Sequence, residues 1–362
     1  MHRRGSTRHS ACEGIQRAGV SMSNPVLVDV MRGDVVESRH RGAIVVCDGD
    51  GRVVLSLGDV ERPVFPRSAV KAIQALPLVE SGAADAFGFS DEELAFACAS
   101  HSGEPGHAAK AAELLARAGL DVAALECGAH WPSGEEAAHE LARRRETPTA
   151  LHNNCSGKHS GFLCTCVHAG LDPRGYVRRE HAEQQLVREA LVDVTGAAHG
   201  EESCGIDGCS IPTYAVPLVS LATGFARMVT GEGLLPARAA AARRLVAACM
   251  AHPWFVAGTG RADTLMMEVG KGRIFTKTGA EGVFCAAIPD LGLGIALKCD
   301  DGAGRAAEVM VASVLVALVS EDVALAARLN ELAHPVLKNR NGMGVGSLQP
   351  TEALTGLAAA GG

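Results

Sequence analysis

A serine and a lysine lie three residues apart in the otherwise apolar stretch "VFPRSAVKAIQAL" at residues 64–76. Residues at i and i+3 share one face of a helix, so the hydroxyl of Ser68 and the amine of Lys71 can form a hydrogen bond. Pro66 favours a helix start near Ser68, where free backbone N–H groups can stabilise an oxyanion. This pattern predicts a serine nucleophile beside a lysine. The structural alternative is that Ser68 only caps a helix and Lys71 is a solvated charge.

A second lysine follows a predicted strand. The segment "RIFTKTGAEGVF" places Lys277, Thr278 and Gly279 directly after a β pattern, the context in which Lys-Thr-Gly accompanies Ser-x-x-Lys in penicillin-recognising enzymes. Such a lysine can supply positive charge or transfer a proton near the serine, and Gly279 leaves room for a substrate close to the backbone. The alternative is a turn with an exposed lysine. The sequence has no Ser-Asp-Asn-like motif between the two segments.

Two further stretches have the composition of site loops. They are "CASHSGEPGH" at residues 98–107 and "LHNNCSGKHSGFLC" at residues 151–164. Both are rich in small and polar residues, both contain glycine, and each is followed by a helical pattern. We therefore expect them to contribute side chains to the same site as the serine and the two lysines.

Strand patterns occur toward both ends of the chain and must position these loops. Near the N-terminus they are "VLVDVM", "AIVVCD" and "RVVLSLG", and the Asp-Gly pairs of "DGDG" favour a tight hairpin between the last two. Toward the C-terminus they are "GRIFT", "GVFCAAIP" and "GLGIALKC", followed by helical patterns. The sequence thus predicts short strands from both ends of one domain.

Helical patterns occupy most of residues 68–270. "SDEELAFACAS" has Ser90 and Glu93 at the spacing of a capping box, and "PARAAAARRLVAACMAHP" begins and ends at prolines. Strands at both ends that flank a helical middle predict one antiparallel sheet built from both termini, which is the α+β class. We expect a single catalytic domain over residues 23–350.

Composition excludes several classes of protein. The chain has 362 residues, of which 47% are hydrophobic and 21% charged, with a net charge of −7. Such a chain can bury a large core, and it has no basic stripe or aromatic platform that would indicate nucleic acid. No apolar run reaches the roughly 18–20 residues of a membrane span, and the first residues lack the apolar block of a secretory signal. We expect a cytoplasmic protein with a small-molecule partner.

The two ends and the cysteines lead to further predictions. Residues 1–22 are rich in Arg, Ser and His and end at a second methionine, Met22, which predicts a disordered tail or a misassigned start. Residues 351–362 are predicted to be a flexible tail. The 12 cysteines are scattered through apolar segments, so most are expected to be reduced core thiols.

Seven blocks extend this interpretation, in the order "PRSAVKAIQ", "ASHSGE", "HNNCSGKHSGFL", "CGIDGCSIP", "VAGTGRADT", "KTGAEGVF" and "HPVLKNRNG". Together they resemble the bacterial asparaginase family typified by rhizobial inducible enzymes, which differs from the threonine-dependent asparaginases. The resemblance extends from about residue 25 to about residue 350. It implies a fold similar to serine β-lactamases and penicillin-binding proteins, and an amidohydrolase that converts L-asparagine to L-aspartate and ammonia.

The resemblance also implies roles for particular residues. Ser68 and Lys71 match the first Ser–Lys pair of the family, and Ser100 and Lys277 match the second. On this basis we expect Ser68 to attack the side-chain carboxamide of asparagine with Lys71 as base. Which lysine acts in which half-reaction stays open.

A zinc site beside these pairs is implied by the resemblance, with Cys155, Lys158 and Cys209 at the matching positions and one zinc per chain. From the residues alone, two cysteines so far apart are a weak zinc signal, and core thiols are the ordinary alternative. Lysine is a rare ligand because it must lose its proton to bind a metal. Such a zinc would bind substrate directly or modulate its affinity.

The remaining candidates come from the matching blocks. A substrate α-carboxylate needs a cation and an α-amine needs an anion or carbonyl, and the candidates are Arg67, His159, Asp207 and Arg261. Three of them have an ordinary alternative: a solvated Arg67, His159 as a loop histidine with its own partner, and Arg261 in a helix-terminal pair with Asp263. Competing functions are a glutaminase, a β-lactamase-like hydrolase, or a non-catalytic protein that binds an amino acid or zinc. A homodimer is expected from the family.

Overall fold

The computed structural model describes residues 23–359, and the predicted N-terminal tail lies outside this range. Twelve strands occur among these residues. They are β1 (Val26–Arg32), β2 (Val35–Cys47), β3 (Val53–Leu57), β4 (Pro63–Val64), β5 (Cys204–Ile206), β6 (Pro212–Tyr214), β7 (Val216–Pro217), β8 (Phe275–Thr278), β9 (Val283–Ile288), β10 (Leu293–Cys299), β11 (Val336–Lys338) and β12 (Gly344–Pro350).

Eight of these strands form one antiparallel sheet in the order β11-β12-β1-β2-β10-β9-β8, with β3 paired to β2. The long strand β2 joins the two halves, because its first part pairs with β1 and its second part pairs with β10. Strands from both ends of the chain therefore share one sheet, and the predicted α+β class is confirmed. The pairs β4–β7 and β5–β6 form two small separate sheets.

Helices form layers on the two faces of the sheet. They are α1 (Lys71–Gln74), α2 (Leu76–Glu80), α3 (Ala83–Ala86), α4 (Asp91–Ala97), α5 (Pro105–Arg117), α6 (Glu135–Arg143), α7 (Ser156–Ala169), α8 (Ala182–Thr195), α9 (Leu218–Thr230), α10 (Pro236–Ala251), α11 (Pro253–Ala257), α12 (Ala262–Gly270), α13 (Gly304–Leu318), α14 (Val323–Ala333) and α15 (Glu352–Thr355). Short 3-10 helices are Arg67–Val70, Val122–Ala124, Ala150–His152, Glu201–Ser203, Pro289–Leu291 and Gly356–Ala359.

Alternation along β2 divides the buried side chains between two cores. Val45 and Cys47 face the core that contains the helical middle of the chain. Ile44 and Val46 point the other way, into the core that contains α13 and α14. This alternation is what a strand covered on both faces requires, because successive side chains point to opposite sides.

Several local predictions agree with the structure. Ser90 and Glu93 form the predicted capping box at the start of α4, and α10 begins at Pro236 and ends just before Pro253. The backbone of Asp48 closes the β2–β3 hairpin by bonding to Arg52. The described cysteines are free thiols, and all except Cys204 are buried. The helical middle is interrupted by β5, β6 and β7, which have two or three residues each and are too short to show a hydrophobic period.

The C-terminal part of the sheet differs from expectation. Helical patterns were expected to close the chain, but β11 and β12 follow α14 and form one end of the sheet. Residues 352–359 of the predicted flexible tail form α15 and a 3-10 helix. Thr351 bonds through its backbone N–H to Leu27 O, and Leu354 of α15 is buried. Apolar contact with the sheet orders this segment. Among the helices that the structure describes, none has the length and hydropathy that a membrane span requires.

Candidate active site

Ser68 lies in the 3-10 helix Arg67–Val70, immediately before α1. It is half-buried, and no side chain caps this helix, so the capping alternative for Ser68 is wrong. Arg67 has a positive φ of 52°, a conformation that costs energy in a residue with a Cβ atom. Strained backbone often occurs at functional sites, where the surrounding structure holds it in place.

Lys71 turns into the protein. Its side chain is 0% exposed, which corrects the alternative of a solvated charge. The amine donates to Ala99 O at 2.5 Å and to Asn154 O at 3.4 Å. It also donates to the Cys155 sulfur at 3.2 Å. The predicted hydrogen bond to Ser68 is not formed within residues 23–359, because these three buried acceptors bind the amine instead.

The second Ser–Lys pair is in contact. Lys277 Nζ donates to Ser100 Oγ at 2.9 Å and to Thr278 O at 3.1 Å. Ser100 follows α4 and is held there by a hydrogen bond from its backbone N–H to Val256 O. Lys277 lies within β8 and is 0% exposed. The alternative of an exposed turn lysine is therefore wrong.

The environment of Lys277 makes it a candidate base. Burial lowers the pKa of Lys277 to about 8 from the ordinary 10.5, with Lys71 and Arg261 acting in the same direction and Asp263 opposing them. Desolvation disfavours the ammonium form, and nearby like charges add to this effect. A substantial fraction of Lys277 is therefore neutral at mildly alkaline pH, beside a serine hydroxyl.

Close backbone contact joins the two serine segments to the rest of the site. A Cβ atom on Gly279 would lie 2.5 Å from Pro66 O, so only glycine lets the end of β8 approach the turn that precedes Ser68. A Cβ atom on Gly157 would lie 2.2 Å from Phe96 O, so glycine also lets α7 pack against the end of α4. These glycines bring the serine, lysine and cysteine segments together.

The three predicted zinc ligands are brought together. Lys158 Nζ contacts the Cys209 sulfur at 3.2 Å, and all three side chains are buried. A hydrogen bond from Cys209 lowers the pKa of Cys155 well below its usual value, and the charges of Lys71 and Lys158 do so as well, against the effect of burial. The same hydrogen bond raises the pKa of Cys209. Within this pair the hydrogen bond favours a proton on Cys209 over a proton on Cys155.

The donor types of this cluster suit zinc, and three protein ligands leave one coordination position for water or substrate. Burial lowers the pKa of Lys158, but the charges of Cys209, Cys155 and Asp207 raise it overall, so zinc would have to displace a proton from this amine. The distance of 3.2 Å between Lys158 Nζ and Cys209 Sγ is close to the roughly 3.5 Å that two such atoms have around tetrahedral zinc.

Another group of possible ligands lies elsewhere in the described chain. It consists of His40, Cys299 and Asp301, whose donor atoms lie within 4.8 Å of one another. Asp301 contacts His40 Nδ1 at 2.6 Å and accepts from the Cys299 sulfur at 3.0 Å. It also accepts from the backbone N–H of Ala303. These hydrogen bonds explain why the three side chains lie together at the start of α13.

Two of the predicted substrate-binding residues pair with each other. Arg67 Nε donates to Asp207 Oδ1 at 2.7 Å, across the loop that contains Cys209. Burial alone would raise the pKa of Asp207, but the charges of Lys158 and Arg67 lower it below its ordinary value. Arg67 is not simply solvated, since Asp207 binds it.

The other two candidates lie in or next to helices. His159 is within α7 rather than in a loop, is 0% exposed, and contacts the Tyr176 hydroxyl through Nδ1 at 2.7 Å. Arg261 is half-buried and immediately precedes α12. Asp263, its expected partner, instead accepts a hydrogen bond from Thr278 N at 2.6 Å. The roles of His159 and Arg261 in substrate binding stay predictions.

Sequence reasoning missed groups that position the site. His101 Nδ1 accepts from Gly103 N at 3.1 Å, and its Nε2 contacts Ser156 Oγ at 3.0 Å. Asn154 O binds both Lys71 and the backbone N–H of His101. His101 and Asn154 occur in the quoted glycine-containing loops, but backbone acceptors and the tautomer of a histidine have no sequence pattern.

Comparison with known protein families identifies the family of this chain. The sequence model of L-asparaginase II matches residues 28–350. The chain belongs to the L-asparaginase II family. This confirms the resemblance found in the seven sequence blocks, since the matched range contains all of them. As a member of the L-asparaginase II family, the chain is an amidohydrolase. A search of curated proteins finds no significant match.

Solved structures show only remote likeness to this L-asparaginase II family member. A beta-lactamase from Mycobacterium bovis is 14% identical, with a TM-score of 0.37, over 81% of this chain and 95% of that chain. Mglu in its native form in the presence of 4.3 M NaCl is 18% identical, with a TM-score of 0.32, over 72% of this chain and 56% of Mglu. Mglu in its tris and glutamate form is 17% identical, with a TM-score of 0.35, over 83% of this chain and 63% of Mglu. Likeness at this level says nothing about activity.

Proposed function

We propose that this protein is an L-asparaginase that hydrolyses L-asparagine to L-aspartate and ammonia through a serine nucleophile and a lysine base. The observation that supports it best is the hydrogen bond of 2.9 Å between Lys277 Nζ and Ser100 Oγ. A buried lysine beside a serine hydroxyl is a nucleophile-activating pair. The family match supports the amide substrate.

Lys277, and not Lys71, contacts a serine hydroxyl. The amine of Lys71 donates instead to two carbonyl oxygens and the Cys155 sulfur. Lys277 has a pKa of about 8 and contacts a hydroxyl. The base role expected for Lys71 therefore moves, in this proposal, to Lys277 acting through Ser100.

The proposed reaction has two halves. Ser68 Oγ attacks the carboxamide carbon, and its proton passes through the Ser100 hydroxyl to neutral Lys277. The Lys277 ammonium returns a proton by the same route to the nitrogen, so that ammonia leaves and an ester to Ser68 remains. Water then attacks the ester and gives a proton to Lys277, which returns it to Ser68 Oγ. Backbone N–H groups of the first turn of the 3-10 helix are proposed to stabilise the oxyanion.

Charged groups near the serines suit an amino-acid substrate. Arg67 and Arg261 are proposed to bind the α-carboxylate and Asp207 the α-amine. His159, buried within α7 against the Tyr176 hydroxyl, is the fourth substrate-binding candidate. Cys155, Lys158 and Cys209 are proposed to hold one zinc. When bound, zinc supplies positive charge beside the substrate, while Ser68 and Lys277 supply the nucleophile and the base.

The discriminating experiment is an ammonia assay on purified protein with L-asparagine and L-glutamine, alongside a chromogenic β-lactam. We expect turnover of asparagine with a kcat/KM far above that of glutamine, and no opening of the β-lactam. Preference for glutamine would make the protein a glutaminase. Absence of turnover on all three would support a non-catalytic role. The homodimer and the cytoplasmic location stay predictions.

Activity is expected to rise with pH. The neutral form of Lys277 is the reactive one, and it forms as pH rises through a pKa of about 8. The pH dependence of kcat/KM reports ionisations of the free enzyme, so it should increase from pH 6.5 and level off above about 9. A profile that falls through pH 8 would show that the protonated lysine is required instead.

Purified protein is expected to contain close to one zinc per chain. Cys155→Ser and Cys209→Ser should each lose the metal, whereas Cys204→Ser, on the same hairpin, should keep it. Elemental analysis measures this. Because the nucleophile and base are protein groups, we expect chelation to raise KM for asparagine more than it lowers kcat. Metal-free protein as isolated would contradict the zinc site, and complete loss of turnover at saturating asparagine would contradict a subsidiary role.

A further inference from the structure

A small cavity lies beside the open end of the β5–β6 hairpin, away from the loop that contains Asp207 and Cys209. Cys204 and Tyr214 are paired at this end of the hairpin. The cavity has a volume of about 160 Å³ and is lined by Arg179, Gln185, Arg188, His199, Glu201 and Tyr214. The proposed asparaginase reaction uses none of these residues.

Two polar groups in the cavity have unused hydrogen-bonding capacity, one buried and one half-buried. The Tyr214 hydroxyl is buried and has no hydrogen-bond partner in the described chain, and the residue is only 4% exposed. Arg188 uses Nε to donate to His199 O at 2.6 Å, and its guanidinium has no carboxylate partner within residues 23–359. Buried polar groups in native proteins are almost always hydrogen-bonded to protein groups or ordered water, and one without a protein partner points to a bound water or ion.

The net charge of the lining favours an anion. Arg179 and Arg188 contribute two positive charges, and Glu201 is the only carboxylate among the lining residues. Glu201 contacts Arg179 at 2.9 Å and Glu180 contacts it at 3.1 Å, and their side chains are 82% and 73% exposed. Exposed ion pairs of this kind are weak. A competing anion can therefore take the place of Glu201 on Arg179.

We propose that this cavity binds a small oxyanion, a phosphate or a carboxylate, between the guanidinium groups of Arg179 and Arg188 and the hydroxyl of Tyr214. Guanidinium groups bind such oxygens with paired hydrogen bonds, and the phenol donates a further one. Arg188 belongs to α8 and Tyr214 to β6, so the bound anion joins the helix to the hairpin. An anion that binds the folded state and not the unfolded chain also raises the melting temperature.

The test is isothermal titration calorimetry of the full chain with inorganic phosphate, and separately with acetate, at low and constant chloride. We expect one anion per chain. Arg188→Gln should weaken binding at least tenfold and Tyr214→Phe several-fold. Glu201→Gln should tighten it, because the competing carboxylate is removed. Arg174→Gln, which changes an arginine that is 88% exposed, serves as the matched control and should change nothing.

The two probes distinguish the sources of the oxyanion. Binding of phosphate alone assigns the site to phosphate, and Arg188-dependent binding of both assigns it to oxyanions in general. Circular dichroism and asparagine turnover verify that each variant is folded. No binding up to about 10 mM of either probe would overturn the proposal. The proposal would also be overturned if Arg188→Gln still bound the anion and Arg67→Gln did not, because the anion would then occupy the active site.

Discussion

Replacing Lys277 by methionine is expected to abolish ammonia release and, at the same time, to stabilise the folded protein. Activity should fall by at least about 10³-fold, since a general base contributes up to about 10⁴-fold. Methionine has a similar length and carries no charge to bury. The difference between a pKa of 10.5 in the unfolded chain and about 8 in the folded one corresponds to on the order of 3 kcal/mol at neutral pH.

The pH dependence gives this prediction a second measurement. The pKa of Lys277 is lower in the folded state, so between pH 8 and 10.5 the unfolded chain binds more protons. The contribution of Lys277 to the free energy of unfolding is therefore unfavourable below pH 8 and is relieved as pH rises through this window. Urea denaturation at pH 7 and pH 10 should show this gain in the wild type and lack it in Lys277→Met.

The control is Lys338→Met, which removes an exposed lysine from β11. It should leave activity, stability and their pH dependence unchanged. If Lys277→Met retained turnover within tenfold of the wild type, Lys277 would not be the base. If it were inactive but less stable than the wild type, the amine would be a structural group, satisfied by its contacts with Ser100 and Thr278.

Ser68→Ala is expected to eliminate ammonia release and leave the melting temperature nearly unchanged. Ser68 is half-buried and caps no helix, so alanine removes the proposed nucleophile without removing packing. Ser100→Ala should be less damaging, with a loss of about 10²–10³-fold, because water can replace a relaying hydroxyl. Initial rates of ammonia release, with rapid-quench mass spectrometry of the chain, measure both effects.

An ester of the β-carboxyl of aspartate should be detectable on the wild type and on Ser100→Ala, but not on Ser68→Ala. Substitution of Ser68 by cysteine offers a matched variant of similar size that keeps a nucleophile. Near-normal turnover by Ser68→Ala, together with an inactive Ser100→Ala, would assign the nucleophile to Ser100. Loss of the ester in both variants, with turnover retained, would refute a covalent mechanism.

Local patterns in the sequence were sufficient for much of the fold. Alternating apolar residues identified the strands of β1 to β3 and β8 to β10, and the spacing of Ser90 and Glu93 identified the start of α4. These signals depend on neighbours within a few residues, which a single sequence contains. The strands β11 and β12 were missed because their stability comes from pairing with β1, at the other end of the chain.

The sequence by itself determined which residue types are available for chemistry: two serines, three lysines and two cysteines in motifs whose order identifies the family. Only the tertiary structure decided how they pair. Lys71 follows Ser68 by one helical turn, yet its amine bonds to acceptors from the segments of Ala99 and Cys155. Lys277 contacts Ser100 across 177 residues of chain. Hydrogen-bond partners and the pKa of a buried amine depend on which distant groups surround it after folding, and i+3 spacing cannot specify that.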